Sequence, residues 1–533
     1  MDTNAQPVLV GGKWLDSDAT GSFQAINPDT GATLEHVYPV SDRDEIEAAL
    51  RAGSEAAAEL EDIDPGQIAD ALDGYADRIE AASARIVAAA NLETALPLSP
   101  RLADVELPRT AGQLRQAAAA CRDRNWCDPT IDSASNIRSR LGPLGGPVVV
   151  FGPNNFPLAF NAMSGGDFAA ALAAGNPVIA KAHSSHPRTT QLLAEAAAEA
   201  VEAAGLPSAT VQMIYRTSHE DGAWMVSHPL TAATGYTGSR SAGLVLKEAA
   251  DRAGKPIYLE LSSVNPVFFL PGALRERGAE LAAEFHGSAL LGTGQFCTNP
   301  GIVVLAAGEE AEAFVAEVRS RFAESPVGAL LGSGGVKGMS SAVNELVGSG
   351  AELLTGGDTV KGGCRFQNTL LRASGDAFLA DPEGLQTEAF GNGNLVVVAR
   401  DETQLVQIAA AFEGNLTGCI YSHTGNEDDA IYGRVAKPLR RRVGRLLNDQ
   451  MPTGVAVTAA MNHGGPYPAT GHPGFTAVGI PAALRRFAML ECFDHVREDR
   501  LPSELRDANP TGSLWRMIDG QPSQADVGAA AEA

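Results

Sequence analysis

Gly292-Thr293-Gly294-Gln295-Phe296-Cys297-Thr298-Asn299-Pro300-Gly301 sets one cysteine among glycines and small polar residues, two positions ahead of an Asn-Pro bend. A thiol so placed can meet a substrate, and it reads as a nucleophile. It would attack as the thiolate, which calls for a pKa lowered by backbone N–H groups or a nearby cation, and for access from solvent. A lone cysteine also reads as a small buried hydrophobe. The reading of Cys297 therefore depends on what the rest of the chain brings to it.

Upstream, Tyr258-Leu259-Glu260-Leu261-Ser262-Ser263-Val264-Asn265-Pro266 ends an apolar strand on a carboxylate. Such a group serves as a general base near neutrality when it is buried with few partners, or as one half of a structural salt bridge. Before it, Thr234-Gly235-Tyr236-Thr237-Gly238-Ser239-Arg240 reads as a Gly-rich junction from strand to helix. Gly238 and the Ser239 hydroxyl could face a phosphate at the positive helix end; a plain tight turn explains the same residues. Gln386-Thr387-Glu388-Ala389-Phe390-Gly391 puts a further carboxylate in a turn ahead of the strand Leu395-Val396-Val397-Val398.

These stretches lie in a repeating pattern. Pro147 to Phe151 reads as a strand, then a Gly-Pro-Asn-Asn turn, a helix from Leu158 to Ala174, a strand from Pro177 to Lys181, a helix from Pro187 to Ala204 and a strand from Thr210 to Tyr215. Uninterrupted apolar strands alternating with helices predict an α/β fold with parallel sheets covered on both faces. Ligands then sit beyond the carboxyl ends of the strands. A second α/β unit is expected from Pro266 to about Val457.

Residues 9 to 35 read as a short edge strand pair around Pro28-Asp29-Thr30-Gly31, and Asp42 to Arg122 as several antiparallel helices broken at Pro65, Pro97 and Pro108. Arg109 opens one of these helices and could face inward. A projecting hairpin is expected within Ile131 to Leu144. The stretch beyond Gln521, rich in Ala, Ser and Gly, is expected to be disordered. The domain boundaries read as 1–122 with 146–262 for a dinucleotide-binding domain, 263–465 for a catalytic domain, 123–145 with 466–520 for bridging or oligomerisation segments, and 521–533 for the tail.

With 533 residues, several domains are expected. A formal net charge of -24 argues against a nucleic-acid surface or an anionic membrane as partner. The start lacks a basic, apolar leader pattern, and the charge-free stretch between Arg140 and Asp167 is too rich in Pro, Gly and Asn for one membrane helix. The six cysteines form no CxxC pair, so reduced thiols, a cytoplasmic location and no structural zinc are expected.

In order and spacing, Ile26-Asn27-Pro28-Asp29-Thr30-Gly31, Pro153-Asn154-Asn155-Phe156-Pro157, Lys181, Thr237-Gly238-Ser239, Glu260-Leu261, Gly294-Gln295-Phe296-Cys297 and Glu388-Ala389-Phe390-Gly391 resemble the aldehyde dehydrogenase superfamily over nearly the whole chain. Lys181-Ala182-His183-Ser184-Ser185-His186-Pro187, His463-Gly464-Gly465-Pro466-Tyr467-Pro468-Ala469-Thr470, and Asn509-Pro510 with Trp515-Arg516 are most similar to the α-ketoglutarate semialdehyde (2,5-dioxopentanoate) and NADP-dependent fatty aldehyde dehydrogenases.

The resemblance implies a Rossmann-like cofactor domain, an α/β catalytic domain, a small oligomerisation hairpin that adds a strand to a neighbour's sheet, and a homodimer or dimer-based tetramer. It implies Cys297 as nucleophile, Glu260 as base for the attacking water, and Asn155 with the Cys297 backbone N–H as oxyanion donors. Lys181 and Ser184 are placed beside the adenosine ribose, Ser239 at the pyrophosphate and Glu388 at the nicotinamide ribose. Ser184, where NAD-selective members usually carry Glu, points to NADP, with NAD possible. Phe156, Phe160 and Phe296 would line an apolar entrance, and Arg109 would meet a substrate carboxylate. Two departures stand out. Ser262-Ser263 follows Glu260-Leu261 where Gly-Ser or Gly-Gly is usual, which could alter the backbone's approach to the cofactor. Asn392 replaces the proline of Phe-Gly-Pro, which is expected to loosen the turn holding Glu388. Competing readings are a medium- or long-chain aliphatic aldehyde dehydrogenase and a catalytically silent nucleotide-binding scaffold.

Overall fold

The computed structural model describes residues 5–19 and 21–528. Two seven-stranded sheets carry the chain. In the first, the strands Ile257–Glu260, Ala233–Thr237, Val148–Phe151, Val178–Lys181 and Val211–Ile214 run parallel in that spatial order, and Val8–Val10 with Lys13–Leu15 finish one edge antiparallel. These apolar strands are almost fully buried, as expected of a parallel sheet with helices on both faces.

In the second sheet the order is Glu352–Thr355, Thr369–Ser374, Gly393–Ala399, Ile302–Ala306, Val267–Phe269, Asn415–Tyr421 and Val443–Asn448, parallel except at the first strand. Each sheet has its own apolar core.

The N-terminal helices are Arg43–Leu60, Pro65–Ala81, Ser83–Thr94 and Leu107–Asp123. Asp42 caps the first, its carboxylate accepting from the N–H groups of Asp44 and Glu45. Pro65 and Pro108 fall in first turns, where a missing N–H costs nothing. No described helix is long and apolar enough to cross a membrane.

Four expectations need correction. The helix read from Leu158 to Ala174 spans only Gly166–Ala173. Ahead of it Asn161 takes over the local hydrogen bonds: its Nδ2 donates to Pro157 O at 2.8 Å and Thr190 Oγ1 at 3.0 Å, and its Oδ1 accepts from Met163 N at 2.9 Å, which favours turns over helix. The stretch after Gln521 is ordered to Gly528: Gln521–Ser523 pairs antiparallel with Arg516–Ile518, and Arg516 donates to Ala525 O at 2.7 Å. Its small-residue composition concealed that pairing; residues 529–533 lie outside the described part.

The hairpin is Thr130–Asp132 with Ile137–Gly142, and both strands are already paired within the chain, one to Arg516–Ile518 and the other to Met489–Asp494. The free edge of this five-stranded sheet nearest the hairpin is therefore Met489–Asp494, where Met489 and Leu490 are exposed. Finally, Asn392 does not loosen its turn. Its buried amide donates to Phe366 O at 2.7 Å and to Asn368 Oδ1 at 2.8 Å, tying the turn to the adjoining strand.

Candidate active site

The carboxyl ends of the parallel strands in the first sheet deliver most of the polar residues. Register aligns Phe151 with Lys181 and Thr237 with Glu260, so the loops after these residues open on one side. There lies a cavity of about 980 Å³ lined by Asn155, Lys181, Ser184, Gly238, Ser239, Glu260, Cys297 and Glu388. Eight residues expected from separate stretches thus share one cavity.

Cys297 arrives from the other unit. Gly292, Thr293 and Gly294 all take left-handed backbone angles, with φ of 56°, 59° and 69°, turning the chain sharply after the helix Pro271–Leu290. At Gly294 a Cβ would stand 2.0 Å from Gly391 O, so no side chain fits. Gln295 fixes the turn, accepting from Leu331 N at 2.8 Å. Asn265 holds the far side: its Nδ2 donates to the carbonyls of Cys297 and Asn299, both at 2.9 Å.

The Cys297 sulfur lies 3.2 Å from His463 Nε2, which lies 3.0 Å from Glu260 Oε1. These thiol, imidazole and carboxylate atoms are all within 4.8 Å of one another. The segment around Thr470 brings the histidine there by running antiparallel beside the Glu260 strand, with Leu261 N donating to Ala469 O at 2.8 Å and Gly471 N to Leu259 O at 3.0 Å. Gly464 lets the loop pack, since a Cβ there would meet Phe475 O at 2.0 Å. Glu260 and His463 are buried, and Glu260 Oε2 has no hydrogen-bond partner among the described residues.

Burial and then the Glu260 carboxylate push the Cys297 thiol well above its ordinary value, with Arg109 pulling the other way. The sequence calls for a lowered thiol pKa; the fold instead raises it and sets an imidazole beside the sulfur. Asn155, also buried, donates one amide N–H to Gln295 O at 3.0 Å and keeps a second N–H.

Next to this group stands an aromatic wall. Phe156 packs edge-on against Phe160 and Phe296 with centroids 5.2 and 5.4 Å apart, and Phe160 lies 5.7 Å from the His463 ring. The Arg109 guanidinium sits 5.2 Å from the Phe160 centroid and donates to Val455 O at 3.1 Å. Its Nε and Nη2 are buried and have no partner among the described residues.

Elsewhere in the cavity, burial and then Arg216 bring Lys181 down to about 8; nearer the thiol, burial carries Glu388 up to about 7 against the Ser263 N–H that it accepts at 3.2 Å. That bond comes from the backbone and needs no particular side chain; the departure at Ser262 adds a hydroxyl that also holds Glu388 down. Ser239 caps the helix Arg240–Arg252, accepting from Ala242 N at 3.4 Å.

Three residues escaped the sequence reading. His463 was quoted in a motif and given no role; a lone histidine before two glycines was the available signal. Arg216 lines the cavity beside Lys181. Arg101 is paired with the buried Glu106 and donates to Asn155 O at 3.0 Å. Nothing in their local sequence marks the two arginines.

The Aldehyde dehydrogenase family model matches residues 14–465. The chain is 36% identical to alpha-ketoglutaric semialdehyde dehydrogenase 2 of Azospirillum brasilense, covering 96% of this chain and 98% of that one. It is 33% identical to alpha-ketoglutaric semialdehyde dehydrogenase of Acinetobacter baylyi, covering 98% and 99%. Among solved structures, 3,6-anhydro-L-galactose dehydrogenase in complex with NAP superposes with a TM-score of 0.79 at 21% identity, covering 92% of this chain and 99% of that one. Matched along nearly its whole length, the chain belongs to the aldehyde dehydrogenase family, whose fold it has, and is an NAD(P)-dependent oxidoreductase acting on aldehydes.

Proposed function

We propose that the enzyme oxidises 2,5-dioxopentanoate to 2-oxoglutarate with NADP, through a thioester on Cys297. The observation that carries the chemistry is the contact of Cys297 Sγ with His463 and of His463 with Glu260, where Cys297 and Glu260 line the cavity.

A protonated thiol needs a base, and the imidazole 3.2 Å away is placed to take its proton as sulfur adds to the aldehyde carbon. The oxygen that becomes anionic meets the free N–H of the Asn155 amide and the Cys297 backbone N–H. The nicotinamide, when bound, supplies the hydride acceptor. Glu260 then deprotonates water, which attacks the thioester carbon; the carbon–sulfur bond breaks, and the acid leaves.

What the cavity offers fits a dinucleotide carrying a 2′-phosphate. Lys181, half-buried and short of counter-charge, gains from an anion, and Arg216 adds a second cation beside it. Ser184 brings no carboxylate to repel that group. Ser239 and Gly238 lie at a helix N-terminus suited to a pyrophosphate, and Glu388 can accept from ribose hydroxyls.

For the substrate, the unpartnered Nε and Nη2 of Arg109, beside the Phe160 ring and near enough to Cys297 to lower its thiol pKa, support a carboxylate-bearing aldehyde. The names of the two relatives agree with this. The aromatic wall favours a second reading, a longer aliphatic aldehyde, which a chain-length series separates from the first.

The deciding experiment is Glu260→Gln with 2,5-dioxopentanoate and NADP. A burst of reduced cofactor and an intact mass raised by one acyl group on Cys297 are expected. Steady turnover in this variant would remove Glu260 from the scheme. Comparing kcat/KM for NADP and NAD in the wild type tests the cofactor, and a strong NAD preference overturns it.

A further inference from the structure

We propose that Cys297 Sγ, His463 Nε2 and a Glu260 carboxylate oxygen also form a binding site for a zinc ion, and that the ion reversibly shuts the enzyme by occupying these atoms. The inhibition rests on the catalytic roles proposed above; the binding rests on geometry alone.

The three atoms converge on one point and do not form a chain. One imidazole nitrogen faces both the sulfur, at 3.2 Å, and the carboxylate, at 3.0 Å. A neutral ring nitrogen either donates or accepts, so it cannot serve both neighbours as a donor at once. A cation between the three satisfies all of them together. Zinc bonds of about 2.0 to 2.3 Å in a tetrahedron put neighbouring ligand atoms roughly 3.3 to 3.8 Å apart. The sulfur–nitrogen and nitrogen–oxygen spacings need to widen by only a few tenths of an ångström, and the sulfur and the carboxylate oxygen already lie within 4.8 Å.

Ligand chemistry selects the ion. Thiolate and imidazole suit zinc, whereas magnesium and calcium prefer all-oxygen sets. Thiolate and carboxylate together balance its two charges. The second Glu260 oxygen, buried without a partner, is free to join the coordination. Cys297 and Glu260 line the cavity, so the ion has an entry path, and water from the cavity completes the fourth position. On binding, the S–H bond breaks, the sulfur–zinc bond forms and one proton leaves to solvent, with no change of oxidation state.

The test uses the full-length enzyme stripped with chelator and equilibrated by dialysis against zinc chloride alone, with bound metal measured directly. One zinc per chain is expected, with activity falling in step with occupancy and returning on addition of EDTA. Cobalt in place of zinc should give a thiolate-to-metal charge-transfer band that Cys297→Ser lacks. In Cys297→Ser, His463→Ala and Glu260→Gln the dissociation constant should rise by at least the roughly 10- to 100-fold that loss of an outer partner costs. Near-isosteric Cys297→Ser guards against a folding artefact, and Cys492→Ser, which removes the exposed thiol, should bind as wild type. Zinc binding unchanged in His463→Ala and Glu260→Gln, or lost in Cys492→Ser, overturns the site. One zinc bound at full activity overturns the inhibition. Because occupancy is read without substrate, failure of the site and failure of the proposed reaction give different results.

Discussion

The Arg101 guanidinium donates to the backbone carbonyl of Asn155 at 3.0 Å, holding from behind the residue whose amide donates to Gln295 O, two positions before Cys297. The same guanidinium is paired with the buried Glu106, whose Oε1 accepts from Leu158 N at 2.8 Å and Ala159 N at 3.0 Å. It also lies 4.3 Å from the Phe156 centroid and 5.4 Å from that of Phe296, the neighbours of Asn155 and Cys297. One side chain therefore ties the loop of the proposed oxyanion donor to that of the proposed nucleophile.

Arg101→Met should lower kcat more than it raises KM, by about 10-fold or more, because a misplaced donor weakens only the transition state. It should also destabilise the fold by about 3 to 5 kcal/mol, since Glu106 is left as an unpaired buried charge. A double-mutant cycle checks the route. In an Asn155→Ala background, itself slowed by ~10²- to 10³-fold, the added loss in kcat should nearly vanish. Full additivity would make Arg101 a stability residue only.

His463 should control the reactivity of the thiol. With burial and Glu260 holding the Cys297 proton on, alkylation by iodoacetamide at neutral pH depends on the imidazole. His463→Gln should slow both alkylation and acylation, by roughly 10²-fold or more, the range of general-base catalysis. Alkylation at the wild-type rate would show that the thiol needs no base. Deacylation, which Glu260 serves in the proposed scheme, should suffer less.

NADP affinity should pass through a maximum between the values of two half-buried groups. Glu388, raised to about 7, is ionised above that pH and can then accept from ribose hydroxyls; below it the carboxyl is neutral and binding weakens. Lys181, lowered to about 8, is charged below that pH and attracts phosphate; above it the amine is neutral and affinity falls. Fluorescence titration with NADPH from about pH 6 to about pH 10 measures this without chemistry at the thiol. Glu388→Gln should flatten the acid limb and Lys181→Met the alkaline limb. A profile unaltered in both would detach these residues from the cofactor.

The parts of this site legible in the sequence are those that local chain geometry announces. A cysteine in a Gly-rich turn, a glutamate at a strand end and a serine opening a helix each sit where short-range patterns force a bend. Their arrival in one cavity follows from parallel strands ending on the same side. His463 lies 166 positions beyond Cys297, and its approach depends on a segment laid along the Glu260 strand, a contact no local pattern encodes. Arg101 and Arg216 were illegible for the same reason. The misread helix before Gly166 shows the opposite limit: Ala-rich composition favoured helix, and one asparagine's side-chain bonds overrode it.

Arg109 separates the two substrate readings. If its open Nε and Nη2 meet the substrate carboxylate, Arg109→Met should lower kcat/KM for 2,5-dioxopentanoate by about 10²-fold or more, the scale of losing one partner of a buried charged pair. A neutral aldehyde of similar length should be nearly unaffected. The free enzyme supplies an independent check, because a guanidinium kept for structure and one kept for a ligand differ in what removal does to stability. Here the variant gives up one bond, to Val455 O, worth about 1 kcal/mol, but also relieves two buried donors left unpaired, each costing about 1 to 3 kcal/mol. The melting temperature without substrate should therefore hold or rise. A clear drop, with equal losses on charged and neutral aldehydes, would assign Arg109 to the scaffold and leave the longer aliphatic aldehyde as the better substrate.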